Sequence, residues 1–177
     1  MRRVTQAWRA AEDVLLQHKV RRAPVNVRRI AGTYAQVIER VLDRDISGAL
    51  VPLGGSHWVI VVNSLHHPNR KRFTVAHELG HLILHRYKTP HADRGFRLRD
   101  ARSSEGSVLE EIQANQFAAE LLMPRSMLMR ALEDTDLEHA PANEDQDDNF
   151  ERIVHQLSGH FRVSRQAMAV RLSSLLA

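Results

Sequence analysis

The sequence predicts an α+β fold: a small antiparallel sheet of about three strands packed on helices, with a pair of helices at the C-terminal end. Three observations lead there. Apolar residues recur at helical spacing near both ends of the chain, runs rich in Val and Ile cluster between residues 34 and 63, and "FTVAHELGHLILH" (73–85) reads as one mostly apolar helix carrying three histidines and a glutamate. With 177 residues, 43% of them hydrophobic, the chain can bury a core of its own. It has no cysteine, which excludes a disulfide framework, thiol catalysis and any cysteine-ligated metal, and suits a reducing compartment. Charges interrupt the N-terminus too early for a secretory signal, and no apolar run approaches a membrane span, so a soluble protein of the cytoplasm, with no membrane partner, is expected.

Taken in order, Val4, Trp8, Ala11 and Leu15 repeat at helical spacing and predict a helix over 4–19. Asn26 is placed to cap a short second helix that ends near Gly32. Strands are expected at 34–41, 47–53 and 57–63, with Gly54-Gly55 turning the last two into a hairpin. "HHPN" breaks the sheet and leads into a helix over about 69–86, and 87–106 reads as a loop. A helix over 107–123 ends at Pro124, and a short one follows to 132. Residues 133–149 hold eight acids and no Lys or Arg, and read as a linker. The division is thus 1–132, an acidic linker 133–149, and a helical pair over 150–177.

That linker hides an asymmetry of charge. The chain as a whole carries +4, but outside 133–149 there are 25 basic against 13 acidic residues, a balance of +12. So basic a surface suits an acidic protein patch or nucleic acid, or serves solubility alone.

The chemistry lies in the helix over 69–86. His77 and His81 are four residues apart, so both imidazoles lie one turn apart on one face and can reach one ion. Glu78 lies beside His77, as in the H-E-x-x-H arrangement whose glutamate is the general base of zinc hydrolases. The bland alternative is a polar helix face with no metal. A catalytic site needs a third protein ligand. On the helix over 107–123, Val108, Ile112, Ala114, Phe117, Ala118, Ala119, Leu121 and Leu122 form an apolar arc, with Gln113 and Glu120 opposite. Glu111 falls near the centre of that arc and Glu110 at its edge. A carboxylate on a buried face is costly unless a cation compensates it, so Glu111 is the first candidate and Glu110 the second. Asn115, one turn further, can accept a ring N–H from His77 or His81 and hold that imidazole in one tautomer, or simply bridge backbone. His85 extends the histidine face as a ligand, a donor to the transition state, or a favourable charge at a helix C-terminus. Gly80, costly within a helix by about 1 kcal/mol relative to Ala, implies close approach by another backbone element.

These residues bring a resemblance into view. "RFTVAHELGHLILH" followed by "EEIQANQFAAELLMP" closely resembles the ImmA/IrrE family of zinc metallopeptidases, and "SGALVPLGGSHWVIVVN" and "PVNVRRIAG" resemble that family's hairpin and N-terminal helix. The resemblance covers roughly 20–130. It implies a minimal thermolysin-like (gluzincin) fold, one zinc ion per chain, His77, His81 and Glu111 as ligands, and Glu78 as catalytic base. Where thermolysin-like enzymes often carry Asp four residues after the ligand glutamate, this chain has Asn115, a weaker acceptor. The resemblance also implies a substrate class, helix-turn-helix repressors, whose cleavage releases mobile-element or stress-response genes. His85, Tyr87 or an arginine among Arg94, Arg97, Arg99 and Arg102 is expected to face the oxyanion; those arginines equally fit a solvated surface. Strand 57–63 is expected to be an edge that holds substrate extended.

The last segment, "LSGHFRVSRQAMAVRL", resembles a helix-turn-helix, with a turn at Gly159 and Ser164 capping the second helix. Arg165 and Gln166 would then open a DNA-reading helix. Docking on the core, or on substrate, is the favoured reading over DNA. The rival functions are a non-catalytic binding module and a DNA-binding regulator; an intact H-E-x-x-H argues against the first.

Overall fold

The structure, a computed structural model, describes residues 2–85, 91–93, 105–134 and 146–176. Among them are α1 (Arg2–Gln17), α2 (Val27–Ala31), β1 (Gln36–Arg40), β2 (Gly48–Gly54), β3 (His57–Asn63), α3 (Pro68–His85), β4 (His91–Asp93), α4 (Glu105–Leu122), α5 (Arg125–Glu133), α6 (Gln146–Phe161) and α7 (Arg165–Leu176). The fold is α+β, as expected. Tyr87, the arginines Arg94, Arg97, Arg99 and Arg102, and most of the acidic segment lie outside the described residues.

Helix α1 packs mainly on α4. It buries Ala7, Ala11, Val14 and Leu15, whereas Trp8, expected on the inner stripe, is 37% exposed. Two fully buried alanines, Ala7 and Ala11, allow α1 to sit close to its neighbour. Asn26 caps α2, its Oδ1 accepting the Arg29 N–H at 3.1 Å.

The sheet departs from expectation. It has four strands in the order β1-β3-β2-β4 and is mixed: β1 runs parallel to β3, and β2 is antiparallel to both β3 and β4. The parallel pair arises because the chain reverses twice, once entering β2 and once leaving it, so β3 runs in the original direction of β1. Gly54 and Gly55, at φ +98° and +60°, make the β2–β3 turn. Strand β3 is therefore interior, with β1 on one side and β2 on the other, and 57–63 is not an edge. Among the described residues the edges are β1 and β4, the latter pairing with Gly48 to Leu50.

Asn63 ends β3 and is fully buried. Its amide donates to the carbonyls of Asp43 (3.0 Å) and Ile46 (2.9 Å), and its oxygen accepts the Leu65 N–H (3.2 Å). These bonds fix the loop that delivers Gly48 to the start of β2. Glu39 of β1 ties two helices to the sheet, to Lys71 of α3 at 2.8 Å and to Arg28 of α2 at 2.6 Å. Lys71 and Arg28 together hold its carboxyl below the usual glutamate range.

Helix α3 runs through the middle, buried without interruption from Thr74 to His81. Sheet, α4, α2 and α1 all touch it. The C-terminal pair docks on the same core: Val154, Leu157, Phe161, Val163, Met168 and Leu172 belong to one apolar cluster with Leu50, Ile60, Leu79 and Phe117. Helix α6 does not turn at Gly159 but continues to Phe161 and ends where Arg162 adopts φ +54°. Ser164 Oγ then accepts the Ala167 N–H at 3.1 Å, capping α7 as expected. Asn69 donates to the Val163 carbonyl (2.9 Å), and Arg72 to those of Arg162 (3.1 Å) and Val25 (2.9 Å), so the α6–α7 turn is fastened to α3.

Candidate metal centre

Three side chains from two helices converge. His77 Nε2 and His81 Nε2 on α3 are 2.9 Å apart. Glu111 on α4 brings Oε2 to 3.4 Å from His77 Nε2 and Oε1 to 3.3 Å from His81 Nε2. One ligand atom from each lies within 4.8 Å of the other two. Ligand atoms around a tetrahedral ion with bonds of about 2.0–2.1 Å stand roughly 3.3–3.4 Å apart. The two carboxylate separations match that spacing, and the histidine pair is a few tenths of an ångström tighter. The group is sheltered on one side: the His77 and His81 side chains are 4% and 0% exposed, that of Glu111 18%. Glu110, the second candidate, is not in the group.

Glycine at position 80 is what lets the helices meet so closely. A Cβ there would stand 3.0 Å from Phe117 Cδ1 and 3.2 Å from the Cα of Ala114. Backbone contact at Gly80 and Ala114 sets Glu111, one turn earlier on α4, level with the two histidines. Asn115, also on α4, places Oδ1 3.0 Å from His77 Nδ1. An amide oxygen only accepts, so His77 carries its proton on Nδ1 and turns the Nε2 lone pair inward. A lone pair and two carboxylate oxygens facing a common point are a donor set for a cation.

Glu78 is fully buried, against the start of β2. A Cβ on Gly48 would come within 3.6 Å of its Oε1, would collide with Thr74 Cγ2, and would lie 2.8 Å from the Val61 carbonyl oxygen. The bare backbone of Gly48 is therefore what allows β2 to lie over this part of α3.

His85 places Nδ1 3.1 Å from His81 Nδ1, on the side of that ring away from Glu111, and Nε2 3.0 Å from Gln113 Oε1. Gln113 was not legible in the sequence. The wheel argument puts it opposite the buried arc, yet it is only 9% exposed, Glu120 only 4%, and Ile112 from within the arc is 42% exposed. A wheel with one buried face fails because α4 is covered by α3 on one side and α1 on another. The available signal was the number of small residues, Ala114, Ala118 and Ala119, which marks a helix approached from several directions.

Residues 19–173 match the family model Peptidase_M78, described as the IrrE N-terminal-like domain. The chain belongs to this family. The IrrE N-terminal-like family is one of metallopeptidases, in agreement with the resemblance carried by the two motifs. Over 80 residues the chain is 40% identical to the radiation response metalloprotease IrrE of Deinococcus radiodurans, a match covering 44% of this chain and 23% of that protein. A solved transcriptional regulator of Mycobacterium tuberculosis superposes with a TM-score of 0.60 over 96% of this chain and 46% of that one; at 16% identity this is a likeness of fold. The chain thus aligns with under a quarter of the first and under half of the second. Among the described residues no helix is long and apolar enough to cross a membrane.

Proposed function

We propose that this chain is a zinc-dependent endopeptidase of the H-E-x-x-H, gluzincin type, and that its substrate is a helix-turn-helix repressor. The observation that carries the reading is the convergence of His77 Nε2, His81 Nε2 and a Glu111 carboxylate at ligand spacing, with a buried glutamate next to His77 in the same helix. Two imidazoles and one carboxylate are the ligand set of thermolysin-like sites, and the two nitrogens favour zinc over magnesium or calcium. One ion per chain fits the single group found among the described residues.

When bound, zinc supplies Lewis acidity, which polarises the scissile carbonyl and lets a water molecule lose a proton near pH 7. The Glu78 carboxylate accepts that proton as the water oxygen bonds to the carbonyl carbon. The same proton then passes to the amine nitrogen as the C–N bond breaks. Asn115 holds His77 with its Nε2 toward the ion. The extended substrate pairs with the β4 edge, not with 57–63: β4 is joined to β2 through Gly48 and Asp93, and Gly48 lies against Glu78. The excess of basic residues outside the acidic segment suits an acidic patch on the partner.

The test is incubation with the repressor encoded beside the chain, with and without a chelator, alongside metal analysis. Purified protein is expected to hold about one zinc ion per chain and to lose cleavage when stripped. Glu78→Gln is expected to keep the zinc and slow cleavage by about 10²–10⁴-fold. Metal content near zero overturns the reading, and wild-type cleavage by the variant removes Glu78 from its role.

A further inference from the structure

Around the ligand group the two histidines are supported differently. His77 is held directly by an amide, Asn115. His81 meets another imidazole, His85, which in turn meets an amide, Gln113. Gln113 and Asn115 flank Ala114, the residue in contact with Gly80, so each reaches α3 from one flank of the helix crossing.

From this geometry we infer that His85, anchored by Gln113, is a positioning residue that sets the tautomer and ring orientation of His81. This rests on the reading of His81 as a metal ligand. The chain of protons follows from donor and acceptor chemistry alone. Gln113 Oε1 only accepts, so His85 Nε2 carries the hydrogen of their 3.0 Å contact. A neutral imidazole has one N–H, which leaves His85 Nδ1 as an acceptor. The 3.1 Å contact between the two Nδ1 atoms then requires His81 Nδ1–H to donate. Its Nε2 is left with a lone pair, aimed at the point shared with His77 and Glu111. The reverse arrangement would put a proton on His81 Nε2, inside the ligand group, where it bars an ion. Both ring nitrogens of His85 are thereby turned to protein partners, and the donor to the oxyanion must be sought elsewhere.

The relay also ties ligand geometry to the α3–α4 crossing. A ring held by another ring admits fewer orientations than one facing water, so His81 is fixed in two steps by α4, the same helix that brings Glu111. Supporting groups of this kind typically govern metal affinity by about 10–100-fold.

The test uses His85→Leu, which removes the acceptor, His85→Gln, whose Oε1 can replace it, and Gln113→Met, which removes the anchor while filling its volume. Zinc affinity is measured by competition with a chromogenic chelator. The His81 tautomer is read in the metal-free protein from long-range nitrogen–proton NMR correlations. Expected are His81 protonated on Nδ1 in the wild-type chain, a loss of zinc affinity of about 10–100-fold in His85→Leu and in Gln113→Met, and recovery to within a few-fold in His85→Gln. His81 protonated on Nε2, or a His85→Leu protein with unchanged tautomer and affinity, overturns the inference. Because the tautomer is read without metal, a chain that binds no zinc would defeat the metallopeptidase reading and still leave the relay decided by NMR. If His85→Leu does not fold, the Gln113→Met and His85→Gln pair decides the matter by the same two measurements.

Discussion

At the scale of single residues, the candidate ligand set is read from local spacing for two members and from burial for the third. His77 and His81 were legible because a separation of four on a helix fixes their relative position without any tertiary information. Glu111 stood out because an acid in an apolar arc needs a reason, and the structure brings its carboxylate to the two histidines in a group that could hold an ion. Gln113 and the destination of His85 were not legible: both depend on how α3 and α4 cross at Gly80 and Ala114, which the spacing within either helix does not fix. The choice between neighbouring acids is open to test. Glu111→Gln keeps the size of the side chain and removes its charge. It should weaken zinc binding by at least about a hundredfold, the upper end of what even a supporting contact contributes. Glu110→Gln should change it much less, since Glu110 stands outside the ligand group. The same chelator competition separates the two, and equal losses would show that the carboxylates share the ion.

At the scale of elements, two glycines set the distances on which the site depends. Gly80→Ala would gain about 1 kcal/mol of helix propensity. Against that, the new Cβ would stand 3.0 Å from Phe117 and 3.2 Å from the Ala114 Cα, and α4 must shift to admit it. Overpacking of this kind costs about 1–3 kcal/mol, so the variant should be less stable in urea and bind zinc more weakly. Gly48→Ala should be worse, because the Val61 carbonyl at 2.8 Å belongs to the paired β3 backbone and cannot retreat. A melting temperature at or above wild type in either variant would contradict this account of the two close approaches. The elements themselves were mostly legible: α2 with its Asn26 cap, the β2–β3 hairpin, α3, α4 and α5 fall where period and turn residues place them. The sheet's order was not, because alternation predicts strands but not which strand a third one joins. Strand β4 is three residues long and shows no period, and its existence is owed to Gly48–Leu50 offering a free edge. Helix α6 passed through Gly159 because its position has open space around it and tolerates a helix, leaving termination to Arg162.

At the scale of the whole molecule, the question is whether the C-terminal pair is an appendage or part of the body that holds the site. An acidic segment sets it off in the sequence, where docking on the core or on substrate is the favoured reading. It packs on the core, and the buried pair of Arg171 on α7 with Glu120 on α4 is the sharpest of its contacts. Both side chains are almost wholly buried, at 4% and 5% exposure. Arg171 also donates to the Met123 carbonyl, from Nε at 3.3 Å and Nη2 at 3.2 Å, while Glu120 Oε1 accepts the Arg125 N–H at 3.0 Å. One ion pair therefore closes the end of α4, starts α5 and anchors α7. Breaking such a pair from one side leaves the other charge stranded, typically at a cost of about 3–5 kcal/mol. Arg171→Met should lose that much stability, measured by urea unfolding, and should also weaken zinc binding, because α4 carries Glu111 and Asn115 nine and five residues upstream of Glu120. Adding Glu120→Gln should restore a large part of it: the stranded charge is gone, and the amide oxygen still accepts from Arg125. The double variant should therefore be more stable than Arg171→Met alone, and both should unfold in one transition. An Arg171→Met protein that loses less than about 1 kcal/mol, or that unfolds α7 in a separate earlier step with zinc affinity intact, would make the C-terminal helices a dispensable attachment.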